Sequence, residues 1–257
     1  MPGSCQALLG RLLFGLVNMD IVHFFPFLST AVTFFFAVTV LNRYRIGRRP
    51  HSLMWGIGLT FYSLGTLAEA YLALRWSPTM LRLWYVSGAM LSAAWLGQGT
   101  IFLLVRKPGV AARVAIGLAV VSSVAAGAVF ATPVSGAAFR AGLPISTQYK
   151  ELLTQNGLII LLTILLNIYG TLTLVGGAVW SAWLFWRKHV LANRMLGNLL
   201  IAVGALFPAS AGTFIRLGFG DWLYLSELLG AGLMFFGFWL ATQPQPIDRP
   251  AHAAARA

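Results

Sequence analysis

The chain is poor in charge. Only 9% of its 257 residues are charged and 58% are hydrophobic, whereas soluble domains carry about 25% charged residues. So few charges cannot cover a water-facing surface, which excludes an ordinary soluble domain and assigns most of the surface to lipid. Acids are the scarcest: six Asp and Glu stand against 18 Lys and Arg, for a formal net charge of +12. Cysteine is limited to Cys5, so neither an intrachain disulfide nor a cysteine-based zinc or iron–sulfur set can be assembled. The sequence has no phosphate-binding loop, no Gly-x-Ser-x-Gly elbow, no His-Glu-x-x-His and no Asp-rich diphosphate motif. No nucleophile or metal set is therefore evident, an intramembrane enzyme is the least supported class, and no cofactor is specified. His51, His189 and His252 fall at or beyond one boundary of the apolar runs, which disfavours a haem held by two histidines across the bundle. At the start, residues 1–20 lack a positive n-region, and their apolar part is broken by Arg11. They read as a short interfacial segment rather than a signal peptide.

What the sequence has instead is long apolar runs. Seven are expected to span, at about 21–42, 51–74, 80–105, 111–131, 157–186, 195–217 and 222–242. Each meets the roughly 20 residues that a bilayer crossing needs. Within lipid the backbone must satisfy its own hydrogen bonds, so runs of this length are helices. They are continuous rather than alternating, which excludes barrel strands. The expected fold is all-α, a polytopic seven-transmembrane-helix bundle over 21–242, followed by a Pro- and Ala-rich tail, 243–257, expected to be disordered.

The basic residues sort by side. Arg43, Arg45, Arg48 and Arg49, then Arg106, Lys107 and Arg113, then Arg187, Lys188 and Arg194, then Arg249 and Arg256 share one side: twelve residues, against six on the other. The richer side is expected to be cytoplasmic. That puts the N-terminus outside and the C-terminus inside, in a bacterial inner membrane. The basic loops would contact anionic lipid head groups. They are too short to carry a nucleic-acid recognition fold.

A shift of 144 residues maps the first three spans onto the last three, bringing Arg43 onto Arg187, Gly88 onto Gly232, Met90 onto Met234 and Trp95 onto Trp239. A 3+1+3 parallel repeat is one reading, and chance matching among helices of biased composition is the other. The fourth span carries small residues every four positions, from Ala111 through Ala115, Ala119 and Ser123 to Gly127. It is expected to pack closely along that face and to act as a linker. The connection 132–156 is the only long one. It reads either as a lid, with a short helix capped by Ser146, or as a disordered excursion.

Buried acids are the main candidates for chemistry, because an ionisable group inside an apolar run is expensive. Glu69 and Glu227 are each expected about 9 Å below the outer end of their helices, counted at 1.5 Å per residue. Tyr62 and Thr66 share the Glu69 face. His23, Arg82, Tyr85, Thr213 and Arg216 fall in the same outer layer. These side chains could converge on a polar pocket. Two carboxylates with a histidine would suit a cation or proton, while the arginines would suit an anion. The structural alternative pairs Glu69 or Glu227 with Arg82 or Arg216 to lock helices together. Gln98, between Gly97 and Gly99, reads as an interhelical hydrogen bond. The stripe Thr163, Asn167 and Thr171 reads as interhelical glue, and Pro208 as a kink.

Seven helices with an outside N-terminus resemble microbial rhodopsins and small sugar-transporter bundles in topology. The seventh span has no lysine for a retinal Schiff base, and no sugar-transporter motif is visible. The expected role is a small-molecule or ion transporter, or a ligand-binding sensor, with a pocket in the outer half. The alternative is a membrane-embedded accessory subunit of a larger complex, with a protein partner or a second copy of itself. A cavity lined by the two acids would favour the first, and a flat, filled outer face the second.

Overall fold

The computed structural model describes residues 24–187, 192–216 and 222–243. The described chain is helical apart from turns, one ordered connection and a single isolated β-bridge. The helices are α1 (Phe25–Gly47), α2 (Pro50–Leu74), α3 (Pro78–Leu104), α4 (Val110–Ala131), α5 (Ile145–Leu152), α6 (Gly157–Arg187), α7 (Ala192–Arg216) and α8 (Trp222–Ala241). Six of them, α1, α2, α3, α4, α6 and α8, are long and apolar enough to cross a bilayer. The chain is an all-α, multi-spanning membrane protein. Large apolar side chains such as Phe34, Phe35, Ile164, Leu165 and Leu172 lie exposed along the outside, a surface that is stable against acyl chains and not against water. α7 is a further 25-residue helix with Pro208 inside it.

The helices pack as a closed ring. α1 lies on α2, α2 on α3, α3 on α6, α6 on α7, α7 on α8, and α8 on α1 again. α4 stands outside this ring against α3 and α6, as suits a linking helix. Its small-residue stripe is not the packing face. The buried positions are Ala111, Leu118, Ser122, Ala125 and Val129, while Ser123 and Gly127 are exposed. A period of four drifts by about 40° per step on a helix of 3.6 residues per turn, so a long stripe winds off any one face. Spacings alternating between three and four residues hold the seam, and Trp95 Nε1 pins it by donating to Ser122 Oγ at 3.1 Å.

Two local devices shape the interior. The first is in α3, where Trp84–Leu91 is wound as a π-helix. Ser77 caps the start, accepting from the Met80 amide at 3.4 Å, and Pro78 occupies the first turn. A π segment takes carbonyls out of their usual register, and three side chains take them up. Ser87 donates to Leu83 O at 2.6 Å, Ser92 to Gly88 O at 2.9 Å and Asn167, from α6, to Ala89 O at 2.8 Å. The second is a glycine contact. A Cβ on Gly65 of α2 would meet the Cα of Gly88 at 2.7 Å, so α2 and the π segment approach as closely as backbones can.

The connection between α4 and α6 is an ordered cap rather than a disordered excursion. Val134 bridges Leu153, and Ser135 N donates to Leu152 O at 2.9 Å. Gln148, buried, donates to Arg140 O and Leu143 O and accepts from Arg140 N, at 3.1, 3.0 and 2.9 Å. Trp76 stacks on Phe139 with centroids 5.2 Å apart. Ile145, Leu152 and Leu153 are fully buried beneath it. The short helix starts after Pro144, with no side-chain cap from Ser146.

Candidate functional site

A cavity of about 400 Å³ lies inside the ring, beneath α5. Tyr62, Gly65 and Thr66 of α2 line it, as do Trp84, Tyr85 and Ser92 of α3. Thr163, Asn167 and Thr171 of α6, Pro208 and Ala209 of α7, and Glu227 of α8 complete the wall, with Ser146, Tyr149 and Lys150 of α5 at the capped end. The volume is in the range of pockets that hold small ligands, about 300–1,000 Å³. Its polar groups converge from four long helices, α2, α3, α6 and α8, and from the short α5. Tyr85 OH lies 3.1 Å from Thr163 Oγ1 and also takes a hydrogen bond from Gln155. Trp84, Tyr85 and Tyr149 form an aromatic cluster with centroids 5.6–6.2 Å apart.

Leu96, Leu174 and Met234, from α3, α6 and α8, line both this cavity and a second void of about 50 Å³. The second void continues toward the basic end of the bundle, among Phe36, Trp55, Thr100, Asn198 and Phe238. The three apolar side chains thus lie on the wall shared by the larger chamber and the smaller void.

On the wall of the cavity two acids meet. Glu69 is 1% exposed, and neither of its carboxyl oxygens has a hydrogen-bond donor. Glu227, half-buried, faces it from α8, and the two carboxyl groups lie within hydrogen-bonding reach of each other. Glu227 Oε2 likewise has no donor. Five residues separate Glu69 from the end of α2 at Leu74, and five separate Glu227 from the start of α8 at Trp222, so antiparallel packing puts them at one depth. Tyr62 OH donates to the Glu227 backbone carbonyl at 3.0 Å, stitching α2 to α8 beside the pair. Thr66 Oγ1 lies 3.4 Å from Thr33 Oγ1 of α1. One turn further along α1 is Ser29, fully buried, its hydroxyl unpartnered.

The remaining sequence candidates divide. Thr66 and Tyr85 line the cavity with Glu227, while Glu69 sits behind that wall. Arg82 is directed elsewhere: its Nη2 donates to Thr132 O at 2.9 Å at the end of α4, and its Nε is buried without an acceptor. It does not reach the acids. His23 lies outside the described residues, as do the side chains of Thr213 and Arg216. Gln98 is structural, donating to Ala111 O at 2.8 Å and accepting from Tyr169 OH. The Thr163, Asn167 and Thr171 stripe bonds between helices and lines the cavity at once.

Sequence reasoning did not select Ser29, Thr33, Trp84, Tyr149 or Lys150. A signal existed for the first two. They are spaced by four, and Thr33 is as far from the start of α1 as Thr66 is from the end of α2. Trp84 stands near the outer end of an apolar run, and only the fold turns it inward.

Compared with protein-family models, with curated proteins and with solved structures, the chain matches none. The functional reading therefore rests on the site.

Proposed function

We propose that this chain is a transporter of a small polar solute, with seven spans in a 3+1+3 arrangement and the cavity as its binding chamber. One observation carries the reading: the chamber of about 400 Å³ between α2–α3 and α6–α8, lined by polar groups from both sides and sharing Leu96, Leu174 and Met234 with the smaller void toward the basic end. Parallel repeats with substrate between the halves are a transporter architecture. The repeat is supported by helix boundaries as well as by matched residues. A shift of 144 places Pro78, the first residue of α3, on Trp222, the first of α8, and Pro50 within two residues of the start of α7. The ring supports it too, because α3 meets α6 and α8 meets α1, joining the halves at two corresponding seams. With the basic loops cytoplasmic, in a bacterial inner membrane and against anionic head groups, the capped end is external. The accessory-subunit reading predicts a filled outer face, and a chamber beneath α5 speaks against it.

The test is binding followed by uptake. The purified chain is screened by thermal shift against a panel of small polar and cationic solutes, and hits are assayed for uptake into proteoliposomes. Ala209→Trp, which fills the chamber from an exposed position on its wall, is expected to abolish both signals. Leu206→Trp, at an outward position of the same helix, is expected to retain them. If no solute stabilises the chain, or if Ala209→Trp leaves binding intact, the reading is wrong.

A further inference from the structure

Glu69 and Glu227 pose a charge problem that the chamber alone does not address. Two carboxyl groups in reach of each other, with Glu69 sealed from water and without a hydrogen-bond donor, cannot both carry a full charge. Among the described side chains, no basic group answers them. Arg82 is bonded at the end of α4. Among the described residues, the other titratable groups toward this region are Tyr62 on α2, Tyr85 on α3, Tyr149 and Lys150 on α5 and buried Tyr224 one turn from Glu227 on α8, with exposed Arg75 just past α2; the side chains of His23 and Arg216 lie outside the described residues. The Tyr62 hydroxyl donates a hydrogen bond to the Glu227 backbone carbonyl, and the Tyr85 hydroxyl is engaged by Thr163 and Gln155. α1 carries two buried hydroxyls at this level, Ser29 and Thr33, the second beside Thr66.

We propose that the Glu69–Glu227 pair is a proton-binding site, holding one proton between its two carboxyl groups and exchanging it with the chamber through Glu227. The asymmetry of the pair supplies the direction. Glu227 lines the chamber, and Glu69 is sealed behind it. A proton leaves by passing from the shared position to water or solute at Glu227, and returns the same way. Departure leaves two carboxylates in contact, so it is favourable only when other positive charge arrives on the chamber side. That condition ties proton release to solute entry, and this coupling rests on the transporter reading; the site itself does not. Ser29, unpartnered and four residues into α1, lies at the depth where its hydroxyl can turn to donate to Glu69 once the proton is gone.

Carbodiimide labelling tests the site without transport. Dicyclohexylcarbodiimide is apolar and reacts with protonated carboxyl groups in a membrane: the acid proton moves to a carbodiimide nitrogen, and the carboxyl oxygen bonds to the central carbon. The intact chain in detergent is treated at neutral pH and mapped by peptide mass spectrometry. The expected adduct is on Glu227, with Glu69 modified less. In Glu69→Gln the amide supplies N–H donors to Glu227, which then needs no proton, and labelling is expected to slow by about tenfold or more, as the loss of a charge-assisted hydrogen bond implies. Folding is checked by retained thermal unfolding. No adduct in the folded wild-type chain overturns the proposal, as does unchanged labelling in Glu69→Gln. Suppression of wild-type labelling by sodium chloride, relative to choline chloride at equal ionic strength, also overturns it and assigns the pair to a metal cation. These outcomes are independent of the uptake assay, so either proposal can fail alone.

Discussion

Gly65 and Gly88 face each other, yet they should respond very differently to a single methyl group. A Cβ on Gly65 would lie 2.7 Å from the Cα of Gly88 and 2.9 Å from its amide nitrogen. To reach ordinary contact, α2 and α3 would have to separate by about 0.7 Å, and close-packed interiors resist that. The obstacle is backbone, so no rotamer change relieves it. Overpacking of this kind costs about 1–3 kcal/mol. A Cβ on Gly88 meets the Cα of Gly65 at 3.4 Å and the Trp84 ring at 3.9 Å, which is ordinary contact. Replacing a helical glycine there also removes unfolded-chain freedom worth about 0.5–1 kcal/mol. Gly65→Ala is therefore expected to lower the thermal unfolding midpoint by several degrees, and Gly88→Ala to leave it unchanged or raise it. Gly65 also lines the chamber, so its variant should weaken solute binding as well. The assay is scanning fluorimetry of both variants in the same detergent, using the native tryptophans. Equal losses, or a greater loss for Gly88→Ala, would refute the geometry of the α2–α3 contact and with it the chamber wall.

Two further outcomes follow from the cap and the shared wall. Gln148→Ala removes the three hydrogen bonds that its side chain makes to Arg140 and Leu143, each worth about 0.5–1.5 kcal/mol. Hydrogen exchange should accelerate across the cap while α2 and α6 stay protected, and uniform exchange throughout the chain would contradict this. Met234→Ala shortens one of the three side chains on the wall shared by the two voids and should raise passive leak of small solutes from proteoliposomes; a leak equal to wild type would show that the barrier lies elsewhere.

Much of the fold was legible because the bilayer imposes simple rules. Helix positions follow from run length, and α2, α4 and α8 agree with expectation to within a residue or two. α1 extends further than its apolar run, to Gly47, because Arg43 and Arg45 can reach the interface from inside the helix. The π segment was not legible. Its sequence, Trp84–Leu91, reads as ordinary apolar helix, and its identity depends on Asn167 arriving from α6 to take the Ala89 carbonyl. The α4 packing face was misread, because a small-residue stripe signals the possibility of close approach and not its presence.

The sequence by itself determined that this is a multi-spanning helical membrane protein and that Glu69 and Glu227 are its anomalous residues. Burial of charge carries a cost whatever the fold, so an acid in an apolar run announces itself. It also determined their depth, since rise per residue is constant in a helix. Only the tertiary structure decided that the two acids face each other, that Arg82 turns away to Thr132, and that Thr33 of α1 meets Thr66 one turn from Glu69. Depth is a property of one helix, whereas azimuth depends on which neighbours pack around it, and the closed ring sets that.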